Sequence, residues 1–292
     1  MSGSGLPVFG RVALLGVGMI GGSVAAACRA RGAVARVTGY TPQSDARDAL
    51  ALGLIDAVAD SVADAVRDAD LVILAAPISA QPSLFSALVP HLRADALVTD
   101  CASTKASTVA AARERLGAAF ARYVPSHPIA GSERHGPQAA RADLFDGAMV
   151  IVCPQPENSI GGVARIRDFW TALGSRVAEL DATRHDRVFA EVSHWPHAVV
   201  FAMCSAIANG EFSDDALRFA GAGLRDSSRI GASSPQLWAD ILLDNREPVL
   251  ECARAFETEL AALLAALRAG DRAALAACFE PGSRWRQALK AQ

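Results

Sequence analysis

Short apolar runs alternate with helical patterns from residue 11 to residue 180, and this alternation limits the fold more than any other feature. The clearest run is Asp-Leu-Val-Ile-Leu-Ala-Ala at residues 70–76, which stops at Pro77. A continuous apolar run of this length is typical of a strand buried on both faces. Because strands that alternate with helices form βαβ units, we predict an α/β fold with a doubly wound, mainly parallel sheet.

The pattern changes at Asp181. Before it, the predicted strands lie at residues 11–16, 35–40, 70–76, 96–100, 122–125, 149–153 and 176–180, and the predicted helices at 20–31, 45–52, 84–92, 105–116 and 160–173. After it, strand-like runs stop, and helices are predicted at 184–209, 215–222, 236–244, 246–268 and 271–278. We therefore expect an α/β domain over residues 1–181 and an all-α helical domain over residues 182–292.

Composition excludes several classes of protein. The chain has 292 residues, of which 51% are hydrophobic and 20% charged, so it is not a disordered chain. No stretch approaches the roughly 20 uncharged apolar residues that cross a bilayer, and a net charge of −3 favours neither a nucleic-acid nor a membrane partner. The start carries no secretory signal pattern, and the six cysteines are scattered. We expect a cytoplasmic protein without disulfides.

A glycine-rich turn follows the first predicted strand and opens the first helix, as Gly16-Val-Gly18-Met-Ile-Gly21. In such a turn Gly16 permits the tight bend, Gly18 lets the backbone approach a pyrophosphate, and Gly21 brings helix and strand together. The helix start supplies unpaired N–H donors to the phosphates. The placement between strand and helix predicts dinucleotide binding rather than a turn without a ligand.

The end of the second strand bears on the choice of cofactor. Sites for NAD normally place an acidic residue about 20 residues beyond the last glycine, against the ribose 2′-hydroxyl. Here the expected position is Thr41, and Thr41, Gln43 and Ser44 offer hydrogen-bond donors to a 2′-phosphate. We therefore favour NADP, with NAD as the open alternative because no arginine follows immediately.

Two polar motifs follow predicted strands of the α/β domain, at the edge where open sheets bind ligands. Residues 100–105 read Asp-Cys-Ala-Ser-Thr-Lys. Ser103 or Thr104 in this motif can also serve simply as the N-cap of the next helix. Residues 126–133 contain His127 between a strand and a proline, where a purely structural histidine is the alternative.

A histidine motif, Ser-His-Trp-Pro-His at residues 193–197, lies within the predicted helical domain. His194 and His197 are three residues apart and share one helical face, and Pro196 predicts a kink. A zinc site needs a further ligand that the motif does not supply, so we predict no metal.

An arginine-rich segment follows it, with Arg225 and Arg229 beside Asp226. Because the planar guanidinium matches a carboxylate, one arginine is a candidate for binding an acidic substrate. An internal ion pair with Asp226 is the plainer alternative.

Six motifs, taken in order, resemble the prephenate/arogenate dehydrogenase (TyrA) family. They are GVGMIGGS at 16–23, AAP at 75–77, DCASTK at 100–105, SHPIAGSE at 126–133, HDRVFAEVSHWPH at 185–197 and RDSSRIGASSPQLWADI at 225–241. The resemblance covers nearly the whole chain. It implies NAD(P)-dependent oxidative decarboxylation of prephenate or L-arogenate in tyrosine biosynthesis, by a homodimer joined through the helical domain. We expect the monofunctional core, without an added mutase or regulatory domain.

The resemblance also implies a role for individual residues. His127 would accept a hydrogen bond from the ring 4-hydroxyl of the substrate and take its proton, and Ser103 would bind the same hydroxyl. Arg229 would hold the ring carboxylate. The other implied substrate residues are His197, Ser132, Glu133, Arg225, Asp226 and His194. The implied cofactor residues are Gly16, Gly18, Met19, Ile20, Gly21, Thr41, Ser44, Ala76, Pro77 and Ser103.

Two other functions compete with this interpretation. A β-hydroxyacid dehydrogenase also pairs a dinucleotide domain with a helical one, but it uses a lysine of the second domain, and the only lysine after residue 181 is Lys290 at the tail. A non-catalytic dinucleotide sensor would explain the glycine turn but not His127, His197 and Arg229 together.

The choice between prephenate and arogenate stays open at this point. Arogenate carries an ammonium where prephenate carries a ketone, so a nearby carboxylate would favour arogenate. Asp186 and Glu191 precede His194 on the same predicted helix, and either can be that carboxylate.

Overall fold

The computed structural model describes residues 7–132 and 134–290. A parallel sheet of five strands occupies its amino-terminal part, in the order β3-β2-β1-β4-β5. The strands are β1 Phe9–Leu15, β2 Val34–Tyr40, β3 Ala57–Val58, β4 Leu71–Leu74 and β5 Leu97–Asp100. This order is that of a doubly wound dinucleotide-binding sheet, which confirms the predicted fold class.

Helices cover both faces of this sheet. They are α1 Met19–Arg31, α2 Asp45–Ala51, α3 Val62–Val66, α4 Gln81–Leu88, α5 Ala106–Leu116 and α6 Ile160–Ala172. Neighbouring residues of β1 show why both faces are apolar: Leu14 lies in a core cluster with Trp170, and Leu15 lies in a separate cluster with Phe85. Since side chains alternate along a strand, a β1 covered on both sides must be apolar throughout.

A second sheet extends the α/β part. It contains β6 Ser126–Pro128, β7 Met149–Val152 and β8 Arg176–Glu179, with β7 antiparallel to β6 and parallel to β8. The strand predicted at 122–125 is wrong in position, because Tyr123 makes only an isolated bridge to Val98 and regular pairing begins at Ser126. His127 therefore lies inside a strand, opposite Ile151, and not after a strand end.

The remaining described chain is helical, as predicted. Its helices are α7 Ala182–Phe189, α8 Trp195–Ala208, α9 Ser213–Phe219, α10 Ala222–Ser228, α11 Pro235–Asp244, α12 Arg246–Ala269 and α13 Arg272–Lys290. Helix α10 was not predicted because its last residues are polar. Helix α13 continues through Pro281, past its predicted end at residue 278. Over the described residues, no helix combines the length and the apolar character that a membrane span requires.

The single helix predicted at 184–209 is divided into two. A π-helical turn, Ala190–His194, separates α7 from α8, and Pro196 lies in the first turn of α8. Proline lacks the N–H of a helical hydrogen bond, and its ring displaces the carbonyl one turn earlier, so the backbone widens there. The predicted helix is thus interrupted beside Pro196, at the turn that ends with His194.

Candidate active site

The glycine turn has the geometry that a pyrophosphate needs. Gly16 has a φ of +99°, in the left-handed region, and a Cβ there would lie 2.5 Å from the Ala75 carbonyl oxygen. A Cβ on Gly21 would lie 2.1 Å from the Gly16 carbonyl oxygen, so α1 can approach β1 only without that side chain. A Cβ on Gly18 would meet nothing within 4 Å. The protein itself therefore does not require glycine at position 18, whereas a phosphate group close to the backbone does.

The other predicted cofactor residues follow neighbouring strands. Thr41 comes directly after β2, and its hydroxyl donates to Gln43 Oε1 at 3.0 Å. Ala76 follows β4, and the buried Gln81 donates its Nε2 N–H to the Ala76 carbonyl at 3.2 Å. Since β1 lies between β2 and β4, these positions meet at the carboxyl edge of the sheet. The chain's own residues thus fit a dinucleotide across this edge.

Beside this edge, the loop at 100–105 folds around a buried ion pair. The side chains of Asp100 and Lys105 are both fully buried and bonded to each other. Lys105 Nζ also donates to the Ser126 carbonyl at 2.8 Å, and Asp100 accepts from the Tyr123 hydroxyl at 2.8 Å. Ser103 is half-buried in the loop between the two charges. Lys105 was not among the predicted site residues, although its rarity as one of two lysines was a signal.

Replacing Lys105 by methionine should destabilise the protein strongly. The change leaves Asp100 buried without its cation, which costs about 3–5 kcal/mol of the free energy of unfolding. The control is Arg67→Met, which breaks an exposed pair with Asp64 that contributes about 0–1 kcal/mol. Urea unfolding of both variants measures the difference, and equal losses would contradict this account of the loop.

The start of α5 corrects the N-cap interpretation of Ser103 and Thr104. Neither side chain caps the helix; the carboxylate of Asp186, in α7, accepts the N–H of Lys105 at 2.7 Å and of Ala106 at 2.8 Å. A carboxylate at a helix N-terminus also interacts favourably with the helix dipole. The helical domain therefore holds in place the loop that carries Ser103.

His127 is buried, with 9% of its surface exposed, and lies against α7. Its Nδ1 is 2.9 Å from Nε2 of His185, and Nδ1 of His185 is 2.8 Å from Oδ1 of Asp186. Burial lowers the pKa of His127 well below its usual value, and the neighbouring His185 and Lys105 lower it further. His127 is therefore uncharged at neutral pH, as a general base must be.

The two predicted histidines of the helical domain are held by different partners. His194 is buried, its Nδ1 accepts from Asn245 Nδ2 at 2.9 Å, and burial lowers its pKa to about 4. His197 donates from Nδ1 to the Ser193 carbonyl at 2.8 Å and stacks on Trp238, with ring centroids 3.5 Å apart. Both rings contact Trp238, which the sequence had not singled out.

Arg229 begins a 3₁₀ turn, Arg229–Ala232, directly after α10. Burial lowers the pKa of His197, its bond to the Ser193 carbonyl raises it, and the positive charge of Arg229 lowers it further. Among the described residues no ion pair joins Asp226 to an arginine, which contradicts the plainer interpretation of this segment. Arg225, Asp226 and Arg229 are all exposed.

Comparisons with known proteins agree with this geometry. A model of the prephenate dehydrogenase nucleotide-binding domain matches residues 24–179, and one of the prephenate dehydrogenase dimerization domain matches residues 181–281. The chain belongs to the prephenate dehydrogenase family. The family predicted from the sequence is thereby confirmed, and both the β-hydroxyacid dehydrogenase and the non-catalytic sensor lose their support.

Relatives in the family span almost the full chain. The cyclohexadienyl dehydrogenase of Zymomonas mobilis is 35% identical over 288 residues, which are 98% of this chain and 98% of the relative. The crystal structure of Aquifex aeolicus prephenate dehydrogenase with hydroxyphenyl propionate and NAD+ has a TM-score of 0.87 and 30% identity, covering 96% of this chain and 98% of that one. Synechocystis arogenate dehydrogenase has a TM-score of 0.78 and 25% identity, covering 96% and 99%.

Four further positions were named as candidates for contact with the substrate. Ser132 is exposed, and its hydroxyl accepts the N–H of Arg134 at 3.1 Å. Glu133 lies outside the described residues. Of the two acids proposed to meet an arogenate ammonium, Asp186 is instead bonded to α5 and His185, and Glu191 is exposed and lines a separate cavity with Trp195.

Proposed function

We propose that this protein catalyses NAD(P)-dependent oxidative decarboxylation of prephenate or L-arogenate in tyrosine biosynthesis, with His127 as the general base. The observation that carries the proposal is the buried imidazole of His127, held against His185 beside the Ser103 loop, in a chain of this family. Arg229 and the histidines of the helical domain supply polar groups for a ring substrate that carries two carboxylates. An imidazole base contributes about 10²–10⁴-fold to the rate.

His127 Nε2 accepts the proton of the ring 4-hydroxyl, and Ser103 binds the same oxygen. A bound nicotinamide cofactor supplies the hydride acceptor. The guanidinium of Arg229 holds the ring carboxylate, with His197 beside it. Ser132 and the buried His194 are the other proposed substrate residues. By the family resemblance, Glu133, Arg225 and Asp226 would line or gate the entrance. Loss of carbon dioxide makes the ring aromatic, so the step is strongly downhill and the protein chiefly positions the groups that react.

An assay of the purified protein with each substrate and each cofactor tests the proposal. We expect reduced cofactor to appear together with 4-hydroxyphenylpyruvate from prephenate or tyrosine from arogenate. Cofactor binding without turnover of either substrate would contradict it.

We propose that NADP is the preferred cofactor, because Thr41 stands where NAD enzymes carry an acid. Thr41→Asp should then lower the preference for NADP over NAD by about 10- to 100-fold, since it removes a donor and repels the 2′-phosphate. Ala118→Asp, which adds the same charge beyond the carboxyl end of α5, is the control and should leave the preference unchanged. Unmodified enzyme that prefers NAD tenfold or more would refute the argument from position 41.

We further propose a homodimer joined through the helical domain. Helix α8 is almost wholly apolar, yet none of its residues is fully buried within the chain. Exposed large apolar side chains near it include Phe212, Leu217 and Phe219. Apolar surface of this extent normally contacts a partner, and the match to a dimerization domain favours a second copy. Sedimentation equilibrium should give the mass of two chains, and a monomer would contradict this.

A further inference from the structure

We propose that His185 and Asp186 act as a positioning pair that holds His127 in the tautomer with its proton on Nδ1 and a free lone pair on Nε2. The inference rests on the proposed role of His127 as the base. It assigns a function to His185, to which the sequence analysis gave no role, and a new function to Asp186, which was a candidate for binding the arogenate ammonium.

The order of donors follows from the distances. An ionised carboxylate only accepts hydrogen bonds, so the 2.8 Å contact with Asp186 Oδ1 requires a proton on Nδ1 of His185. A neutral imidazole carries one proton, which makes Nε2 of His185 an acceptor. The 2.9 Å contact then requires that His127 donates from Nδ1. His127 Nε2 is left as the basic atom.

Asp186 is itself fixed from both domains. Its two carboxylate oxygens accept the N–H groups of Lys105 and Ala106 at the start of α5. Its backbone carbonyl accepts from Asn245 Nδ2 at 2.7 Å. The ring of His185 stacks on Phe189, with centroids 4.4 Å apart. The same carboxylate also holds the loop that carries Ser103. Asp186 therefore orients both His127 and Ser103, the two residues proposed to bind the substrate hydroxyl.

The surrounding charges agree with this order of hydrogen-bond donors, from His127 to His185 and from His185 to Asp186. The groups that face the two rings are Asp100 and Lys105 beside α5, Asp186 on α7 and His194 in the π-helical turn. Burial lowers the pKa of His185 more than Asp186 raises it, so His185 stays neutral and keeps Nε2 free to accept. When His127 takes the substrate proton on Nε2, its Nδ1–H bond toward His185 and Asp186 stabilises the new positive charge. The proton remains on His127 until solvent removes it.

Nitrogen NMR on 15N-histidine protein measures the tautomer directly, and the spectrum of His127→Asn identifies the His127 signals. Wild-type His127 should carry its proton on Nδ1, the less common site for histidine in water. His185→Phe keeps the ring against Phe189 but removes the acceptor, so the proton should move to Nε2. We expect kcat to fall by about tenfold or more, with KM and cofactor affinity little changed.

His185→Gln is the matched variant, because its Oε1 can replace Nε2 as the acceptor. It should retain the Nδ1 tautomer and most of kcat. A wild-type His127 protonated on Nε2, or equal kcat in the Phe and Gln variants, would overturn the inference. The test does not depend on a folded His185→Phe variant, since the wild-type spectrum alone can refute the inference. If wild-type His127 shows the predicted tautomer but His127→Asn is fully active, the role of His127 as the base is contradicted and the inference about its tautomer is not.

Discussion

His127→Asn should lower kcat by about 10²–10⁴-fold, because the variant has no atom in the place of the basic Nε2. Asparagine can still donate from Nδ2 toward His185, in the place of the Nδ1–H of His127, so the strand and its contact with α7 should be preserved. KM and the melting temperature should therefore change little. Steady-state kinetics and thermal unfolding of the same preparation measure both.

The control for this substitution is His91→Asn. His91 is exposed at the end of a 3₁₀ turn and takes no part in the proposed site. It should keep the kcat of the wild type. A folded His127→Asn protein that turns over at the wild-type rate would rule out His127 as the base.

Arg229→Ala should raise KM for the substrate by roughly 30- to 1,000-fold, the equivalent of about 2–4 kcal/mol for a lost charged hydrogen-bond partner. Thermal stability and cofactor affinity should stay unchanged, because no described ion pair ties Arg229 to the fold. Arg229→Lys should recover only part of the affinity, since an ammonium cannot reproduce the bidentate fork.

The matched control is Arg36→Ala, which removes an exposed arginine near the amino end of β2, opposite the cofactor edge. Its KM should equal that of the wild type. If Arg229→Ala instead lowers the melting temperature and leaves KM unchanged, then Arg229 is structural and another group must bind the carboxylate.

Features set by neighbouring residues were predictable from the sequence. The buried strand β4 and the turn after β1 depend on runs of a few residues, and the steric roles of Gly16 and Gly21 follow from backbone geometry. The interruption of the helix beside Pro196 depends on a single residue in the same way. Elements as short as β3 and α3 were missed, because two and five residues give no readable periodicity.

Contacts between distant residues were not predictable. Asp186 caps α5 across 81 residues of chain, and His127 meets His185 across 58. For α5 the local sequence favoured a Ser or Thr cap instead, and for His127 it gave no sign of a histidine partner. The family motif contained His185 and Asp186, but only the fold shows what they touch.

The domain boundary at residue 181 remains our proposal. Asp181 is the N-cap of α7, and its carboxylate accepts the N–H of Arg184 at 2.8 Å. A helix that begins with its own cap directly after β8 supports a division at that point.

The ratio of wild-type kcat to His127→Asn kcat, measured across pH, tests the central claim most directly. Effects of other titrating groups, including His194 and His197, largely cancel in this ratio. Because burial lowers the pKa of His127 well below its usual value, the ratio should be constant above about pH 6.5 and fall only in more acidic solution, where the wild type loses its neutral base. A ratio that stays near one would contradict His127 as the base, and a ratio that already falls above about pH 6.5 would contradict the lowered pKa of its buried ring.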